Sequence, residues 1–257
     1  MSKKTIAFVL AGILVLALGL TGCGGQQQAG QAKVLRAAGE ATFAPFEFQD
    51  EKTNELTGFD VDLIKAIGKQ MGYEVQYQNQ SFDGLIPALD SGNIDIAISG
   101  MTITSERAQK VNFSKPYYKS GLTILVKKDD DSIKGFKDLA GKNIAVQIGT
   151  TGSMEAKKIP DAKVREFNSA AEAIMELKAG GVDAVVNDMP VNEYYLVQSG
   201  GQEAKSVGER LTSEDYGIAT AKKNTELNEK INKALDELKQ NGEYEKIYVK
   251  WFGVKPE

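Results

Sequence analysis

The sequence predicts an α/β protein built as two lobes that face each other across one cleft. Two observations carry this. First, Leu89-Asp90-Ser91-Gly92-Asn93-Ile94-Asp95-Ile96-Ala97-Ile98-Ser99-Gly100 returns 88 residues later as Leu177-Lys178-Ala179-Gly180-Gly181-Val182-Asp183-Ala184-Val185-Val186-Asn187-Asp188. Each copy reads as a helix end, a glycine stop, an aspartate, a short apolar strand and then polar groups. A strand that ends in polar residues offers them at its carboxyl edge, where open α/β sheets hold ligands. Second, each half alternates strand and helix periods, the pattern of parallel β-α-β units.

The elements follow in order. Val34 to Ala38 reads as a strand, followed by a loop through Glu40, Phe43 and Pro45. Asp60 is placed to cap a helix whose apolar face is Leu63, Ile64, Ile67 and Met71, a spacing of three and four residues, with Gly72 as its stop. Tyr73 to Tyr77 alternates as a strand, Phe82 to Leu89 reads as a short helix and Ile94 to Ile98 as the next strand. Thr102 to Val111 reads as a helix capped by Thr102 or Thr104, and Gly121 to Lys127 as a strand. The pattern then restarts: strand Asn143 to Gln147, a glycine–threonine turn, helix near Met154 to Lys158, strand Lys163 to Phe167, helix Ala170 to Ala179, strand Val182 to Asn187. A helix near Val191 to Gln198, a strand near Ser206 and a strand Tyr216 to Thr220 follow. Leu227, Ile231, Leu235 and Leu238 form one helical stripe, and Tyr244, Ile247 and Trp251 another; both read as core. No proline- or serine-rich linker divides the halves. The second lobe (122–216) therefore reads as an insertion into the first (33–121 plus 217–257), with crossings near 120–127 and 214–219 that allow hinge bending.

The front of the chain stands apart. Lys3 and Lys4 precede an apolar run from Thr5 to Leu20, short for a membrane span of about 20 residues. Leu20-Thr21-Gly22-Cys23 resembles a bacterial lipobox, in which the cysteine becomes the lipidated first residue. Residues 1–23 are thus read as a lipoprotein signal peptide and residues 24–32 as a polar, flexible tether. A plain membrane anchor with an incidental cysteine is the alternative; either reading puts the remainder outside the cytoplasm, on the outer face of the membrane. Cys23 is the only cysteine, so once acylated it leaves no thiol for disulfides or catalysis. The chain has no histidine, which removes serine–histidine relays and most imidazole metal sites. A net charge of −4 without long basic runs excludes nucleic acid as an expected partner. No metal or cofactor is expected, and the chain is read as a monomer.

Several segments are specific together: Ala44-Pro45-Phe46-Glu47-Phe48, Gly58-Phe59-Asp60-Val61-Asp62-Leu63, Gly84-Leu85-Ile86-Pro87-Ala88-Leu89, Thr102-Ile103-Thr104-Ser105-Glu106-Arg107, Phe113-Ser114-Lys115-Pro116-Tyr117 and Lys250-Trp251-Phe252-Gly253. In this order the chain resembles the polar amino-acid solute-binding proteins of ABC importers, in particular the glutamine- and arginine-binding members, from about residue 33 to 257. The resemblance implies a two-lobe periplasmic-binding-protein-like (type II) fold with two hinge crossings. It also implies capture of one L-amino acid by hinge closure and delivery to a membrane permease.

A free amino acid offers a carboxylate and an ammonium, and burying either without a partner costs several kcal/mol. Arg107 is the candidate cation; by residue pattern alone a surface ion pair with Glu106 or Asp90 is an equal reading, and the resemblance favours the carboxylate grip. Asp188, in the segment where the family binds the ammonium, is the candidate anion, or a helix N-cap before Pro190, or both. Ser99, Gly100 and Thr102 are expected to add a backbone carbonyl, an N–H and a hydroxyl, with Met101 between them. Thr150, Thr151 and Gly152 are expected to add matching groups from the second lobe. Phe43 and Phe82 would flank the ligand side chain, the alternative being plain core packing. Glu40 stands where relatives commonly carry aspartate, and Gln147 where some glutamine binders carry lysine. Charge counting leaves Glu40 without a cation, which leans to arginine as ligand, while overall likeness allows glutamine. A dehydratase-like enzyme and an amino-acid sensor on the same fold are the competing classes; nothing beyond ordinary carboxylates marks a catalytic acid or base.

Overall fold

The computed structural model describes residues 33–198 and 200–256. The segments expected to form a signal peptide and tether, and Cys23 with them, lie outside the described residues. Two five-stranded mixed sheets organise the chain. The first runs Tyr73–Asn79, Lys33–Gly39, Ile96–Ala97, Ala219–Ala221, Val111–Phe113. Its first three strands are parallel, with Lys33 opposite Tyr73 and Ala37 opposite Ile96. Ala219–Ala221 runs antiparallel to both of its neighbours. The second sheet runs Lys163–Phe167, Asn143–Gln147, Ala184–Asp188, Leu122–Lys127, Ala204–Val207. Again three parallel strands lead, with Asn143 opposite Lys163 and Ile144 opposite Ala184, and an antiparallel strand follows. Each sheet thus places the second strand of its β-α-β run at the edge, the first next and the third inside. The sequence repeat is a repeat of this arrangement.

Local chemistry explains the elements. The helices Leu85–Ser91 and Ala170–Ala179 end at Gly92 and Gly180, both left-handed with φ 77° and 81°. Their N–H groups bond back to the last helical carbonyls, a stop that glycine adopts without strain. Successive strand residues feed opposite faces. Leu35, Ala37, Ile96 and Ile98 join one apolar cluster, while Ala38, Ala97 and Ala219 join another. The second sheet divides likewise, Ile144 and Val146 against Ala145 and Val185. The helix Thr225–Gln240, capped by Asn224, buries Leu227, Ile231, Leu235 and Leu238. Each such leucine or isoleucine contributes about 1.5–3 kcal/mol relative to exposure. The last helix, Glu243–Phe252, is tied to the helix Phe59–Met71 through Asp62, which accepts from Trp251 Nε1 at 2.8 Å and Lys250 Nζ at 2.6 Å.

Two short strands join the lobes side by side. Tyr118–Ser120 pairs antiparallel with Glu214–Tyr216, Ser120 opposite Glu214. Gly121 follows, and a Cβ there would stand 2.0 Å from the Thr212 carbonyl oxygen, so only glycine lets the crossings approach this closely.

The structure departs from the sequence expectations in several places. The helix expected from Thr102 to Val111 spans Ser105–Lys110, and Val111 opens the strand Val111–Phe113. The strand expected over Tyr216 to Thr220 is two strands, Glu214–Tyr216 and Ala219–Ala221, because the chain leaves the crossing and enters the first sheet between them. A meander of Thr42–Phe43, Glu47–Gln49 and Leu56–Thr57 fills the loop after the first strand. Asp60 does not cap its helix: Gly58 is the N-cap and Asp60 is fully buried, accepting from Gly100 N–H at 2.9 Å and Tyr117 OH at 2.8 Å.

Candidate functional site

The carboxyl ends of the parallel strands from both sheets meet around one cavity. Lys33–Gly39 leads to Glu40 and Phe43, Tyr73–Asn79 to Phe82, and Ile96–Ala97 to Ser99, Gly100 and Thr102. From the second sheet, Asn143–Gln147 supplies Gln147 and then Thr150 and Thr151, and Ala184–Asp188 ends on Asp188. Arg107 completes the lining. Eleven of the thirteen residues singled out in the sequence therefore surround one space. Gly152 does not line it, lying buried in the helix Thr151–Ala156. Nor does Met101, whose side chain is buried in the apolar cluster with Ala38, Leu85, Leu89 and Ala219.

Arg107 sits in the helix Ser105–Lys110, whose N-cap is Thr104, the hydroxyl oxygen accepting from Arg107 N–H. It is 5 % exposed. The surface ion pair belongs to its neighbour, Glu106, which meets Lys110 at 3.0 Å. The Arg107 guanidinium donates to the Thr102 carbonyl at 2.7 Å and, across the cleft, to the Gly149 carbonyl at 2.9 Å. It lies 5.2 Å from the Phe82 ring centre, a cation–π contact worth about 0.5–2 kcal/mol. Burial lowers its pKa, and the fields of Asp188 and Glu214 oppose that shift. Phe82 packs with Leu85 and also lines the cavity.

Asp188 is 5 % exposed. Ser120 Oγ donates to its Oδ1 at 3.3 Å, and Tyr216 OH makes a short bond to the same oxygen. Asp188 lines the cavity. Burial first, then Glu214, pushes its pKa to about 7 against the pull of Tyr216, Ser120 and Arg107. Glu40, 6 % exposed, accepts from the Thr42 hydroxyl at 3.0 Å and from Gln147 Nε2 at 3.4 Å, again across the cleft. Burial raises its pKa. Among the described residues no lysine or arginine forms an ion pair with Glu40. The lining thus holds two carboxyl groups against one guanidinium.

Four polar groups are engaged within the protein. The Gly100 N–H bonds Asp60, so it is not offered to the cavity. Thr150 Oγ1 caps the helix Thr151–Ala156, accepting from Ser153 N–H and donating to the Gln147 carbonyl. The Thr102 and Thr151 hydroxyls, one from each lobe, both donate to Glu214 Oε2, at 2.6 and 3.0 Å. Glu214 is the residue that sequence reasoning missed. It lies on the second crossing, is buried, and bridges the two lobes beside Arg107 and Asp188. No motif surrounds it; its place at an expected crossing was the one available signal.

Comparison with known proteins agrees with this architecture. The family model of bacterial extracellular solute-binding proteins, family 3, matches residues 35–254. A probable histidine-binding protein of Neisseria gonorrhoeae is 38% identical over 261 residues, covering 97% of this chain and 96% of that one. An arginine-binding periplasmic protein of Mannheimia haemolytica is 38% identical over 259 residues, covering 98% and 100%. Two solved structures of an ancestral arginine-binding protein are similar throughout. The one bound to arginine is 52% identical with TM-score 0.83, covering 86% of this chain and 98% of that one. The one bound to glutamine is 51% identical with TM-score 0.84, covering 87% and 100%. The repeated sheet, the paired crossings and the cleft lined from both lobes are therefore those of a family fold, and this chain belongs to the bacterial extracellular solute-binding proteins, family 3.

Proposed function

We propose that this protein is the extracytoplasmic binding component of an ABC importer, and that it captures one polar L-amino acid, arginine foremost, by closure of the two lobes. In this reading Arg107 grips the α-carboxylate, while Asp188 and the Ser99 carbonyl take the ammonium. Phe43 and Phe82 flank the side chain, which ends against Glu40 and Gln147. Thr102, Gly100, Thr150 and Thr151 shape the remaining wall.

The observation that supports arginine is Glu40: a buried carboxylate with no cation beside it is costly, and a ligand guanidinium would supply the missing charge with matched geometry. Closure is ligand-driven in this account because the carboxylate and ammonium partners come from opposite lobes. The lobe boundaries near residues 121 and 216 are the hinge positions it requires. Cys23 is the proposed site of lipidation, holding the protein on the outer face of the membrane beside its permease. Glutamine is the second reading, favoured by Gln147 as an amide partner and by the glutamine-bound relative at 51% identity. Thermal shift against the twenty amino acids, followed by calorimetry, tests the reading: L-arginine should stabilise the protein most, and no shift with any amino acid would remove it.

A further inference from the structure

Beneath the Ser99–Gly100 turn, two carboxyl groups share one buried space. Glu47 lies on the strand Glu47–Gln49 and Asp60 in the first turn of the helix Phe59–Met71; both are 0% exposed. One oxygen of each is satisfied. Ser99 Oγ donates to Glu47 Oε1, and Gly100 N–H and Tyr117 OH donate to Asp60 Oδ2. Glu47 Oε2 and Asp60 Oδ1 are buried and accept from no N–H or hydroxyl, and the two carboxyl groups act on each other.

Two carboxylates cannot both stay ionised in such a place. The titratable groups around them offer no positive charge: Tyr77 on the neighbouring strand, Tyr117 before the first crossing, Tyr244 on the last helix and Glu40 at the cavity. The Tyr77 hydroxyl is engaged with the Ile98 carbonyl at 2.9 Å. Among the described residues no lysine or arginine pairs with Glu47 or Asp60.

We propose that Glu47 and Asp60 hold one proton between them, and that this pair is a positioning device that aims the Ser99 carbonyl at the ammonium of the bound amino acid. The geometry is that of a trans peptide, whose C=O and N–H point opposite ways. Asp60 holds the Gly100 N–H inward, so the Ser99 carbonyl faces out, toward the cavity that Ser99 and Gly100 line. Glu47 holds Ser99 from the other side, and Ser99 Oγ in turn accepts from Glu40 N–H at 3.0 Å. The pair therefore fixes the backbone at both ends of the proposed ligand. Burial first, then Asp60, holds the Glu47 pKa well above the usual carboxyl range. Asp60 is raised to about 6 by burial, the Gly100, Tyr117 and Glu47 bonds pulling the other way. Removing the proton would set two anions together and draw Asp60 away from Gly100.

The ligand in this inference rests on the amino-acid reading above; the shared proton does not, so the two are tested apart. Infrared difference spectra of the ligand-free full chain at neutral pH, wild type against Glu47→Gln, should show loss of a protonated carboxyl band. Loss of an ionised carboxylate band alone overturns the shared proton. For the aiming role, calorimetry compares L-arginine with its deaminated analogue, which has no ammonium for Ser99 to meet. Asp60→Ala should weaken L-arginine at least about tenfold and the analogue far less. Asp60→Asn should recover most of the loss, because its amide oxygen still accepts from Gly100 and its nitrogen donates to Glu47. Equal losses for both ligands, or no recovery in Asp60→Asn, overturn the aiming role. Should Asp60→Ala fail to fold, Asp60→Glu, which displaces the carboxylate by one methylene, carries the same expectation and the same overturning result. A wild type that binds no amino acid removes the functional reading and the aiming role with it, and leaves the shared proton to the infrared result.

Discussion

Replacing Glu40 by glutamine isolates the charge proposed to select the ligand. The side chain is nearly enclosed, its neighbours are the Thr42 hydroxyl and the Gln147 amide, and neither carries charge. A guanidinium seated about 4 Å away would be attracted by about 4 kcal/mol at an effective dielectric near 20. Stripping water from the guanidinium takes back part of that, leaving about 2–3 kcal/mol, the range of hydrogen bonds to charged groups. Glu40→Gln should therefore weaken L-arginine by roughly 30–150-fold. L-Glutamine has no charge at that end and should change by less than about threefold. The assay is calorimetry of both ligands on wild type and variant at neutral pH. The reasoning is refuted if the arginine-to-glutamine affinity ratio is the same in the two proteins.

Three further expectations follow from the same site. Asp188→Ala should cost about 3–5 kcal/mol of L-arginine affinity by stranding a buried ammonium; calorimetry showing less than a tenfold loss removes that role. Asp188, raised to about 7 in the ligand-free protein, prefers its neutral form there, so its contribution to ligand-free stability is present at acid pH and lost as pH rises through 7. A ligand ammonium favours the carboxylate instead, so binding should release protons near neutral pH and affinity should fall on acidification, by up to about tenfold per pH unit. Titrations in buffers of different ionisation heat measure this, and zero proton release contradicts it. Glu214→Ala should loosen closure by removing the acceptor shared by Thr102 and Thr151, weakening L-arginine about five- to thirtyfold and expanding the ligand-free protein in small-angle scattering; unchanged affinity and size would deny Glu214 that part.

Much of the fold was legible because long elements carry their period in the chain. Asn143–Gln147, Lys163–Phe167 and Ala170–Ala179 were readable to the residue from apolar spacing and, for the helix, from the Gly180 stop. Strands of two or three residues have no period to read, so the meander from Thr42 to Thr57 and the crossing strand Tyr118–Ser120 were not visible. The cavity residues were legible because the repeat and the family resemblance place them at strand ends. Met101 shows the limit of that reasoning: consecutive residues of an extended turn point opposite ways, and its side chain went to the core. Asp60 shows another. Its position at a helix start has the chemistry of a cap, but Tyr117 and Gly100, far away in sequence, claim it instead. Glu214 acquires its meaning only when the two crossings pair, and nothing local announces that.

A crystal structure of the protein with L-arginine is the most direct trial of the zwitterion clamp. The ligand carboxylate should lie on the Arg107 guanidinium, its ammonium between Asp188 and the Ser99 carbonyl, and its guanidinium against Glu40. An arginine bound elsewhere, or bound in the cleft with Arg107 and Asp188 both turned away from it, would contradict the account.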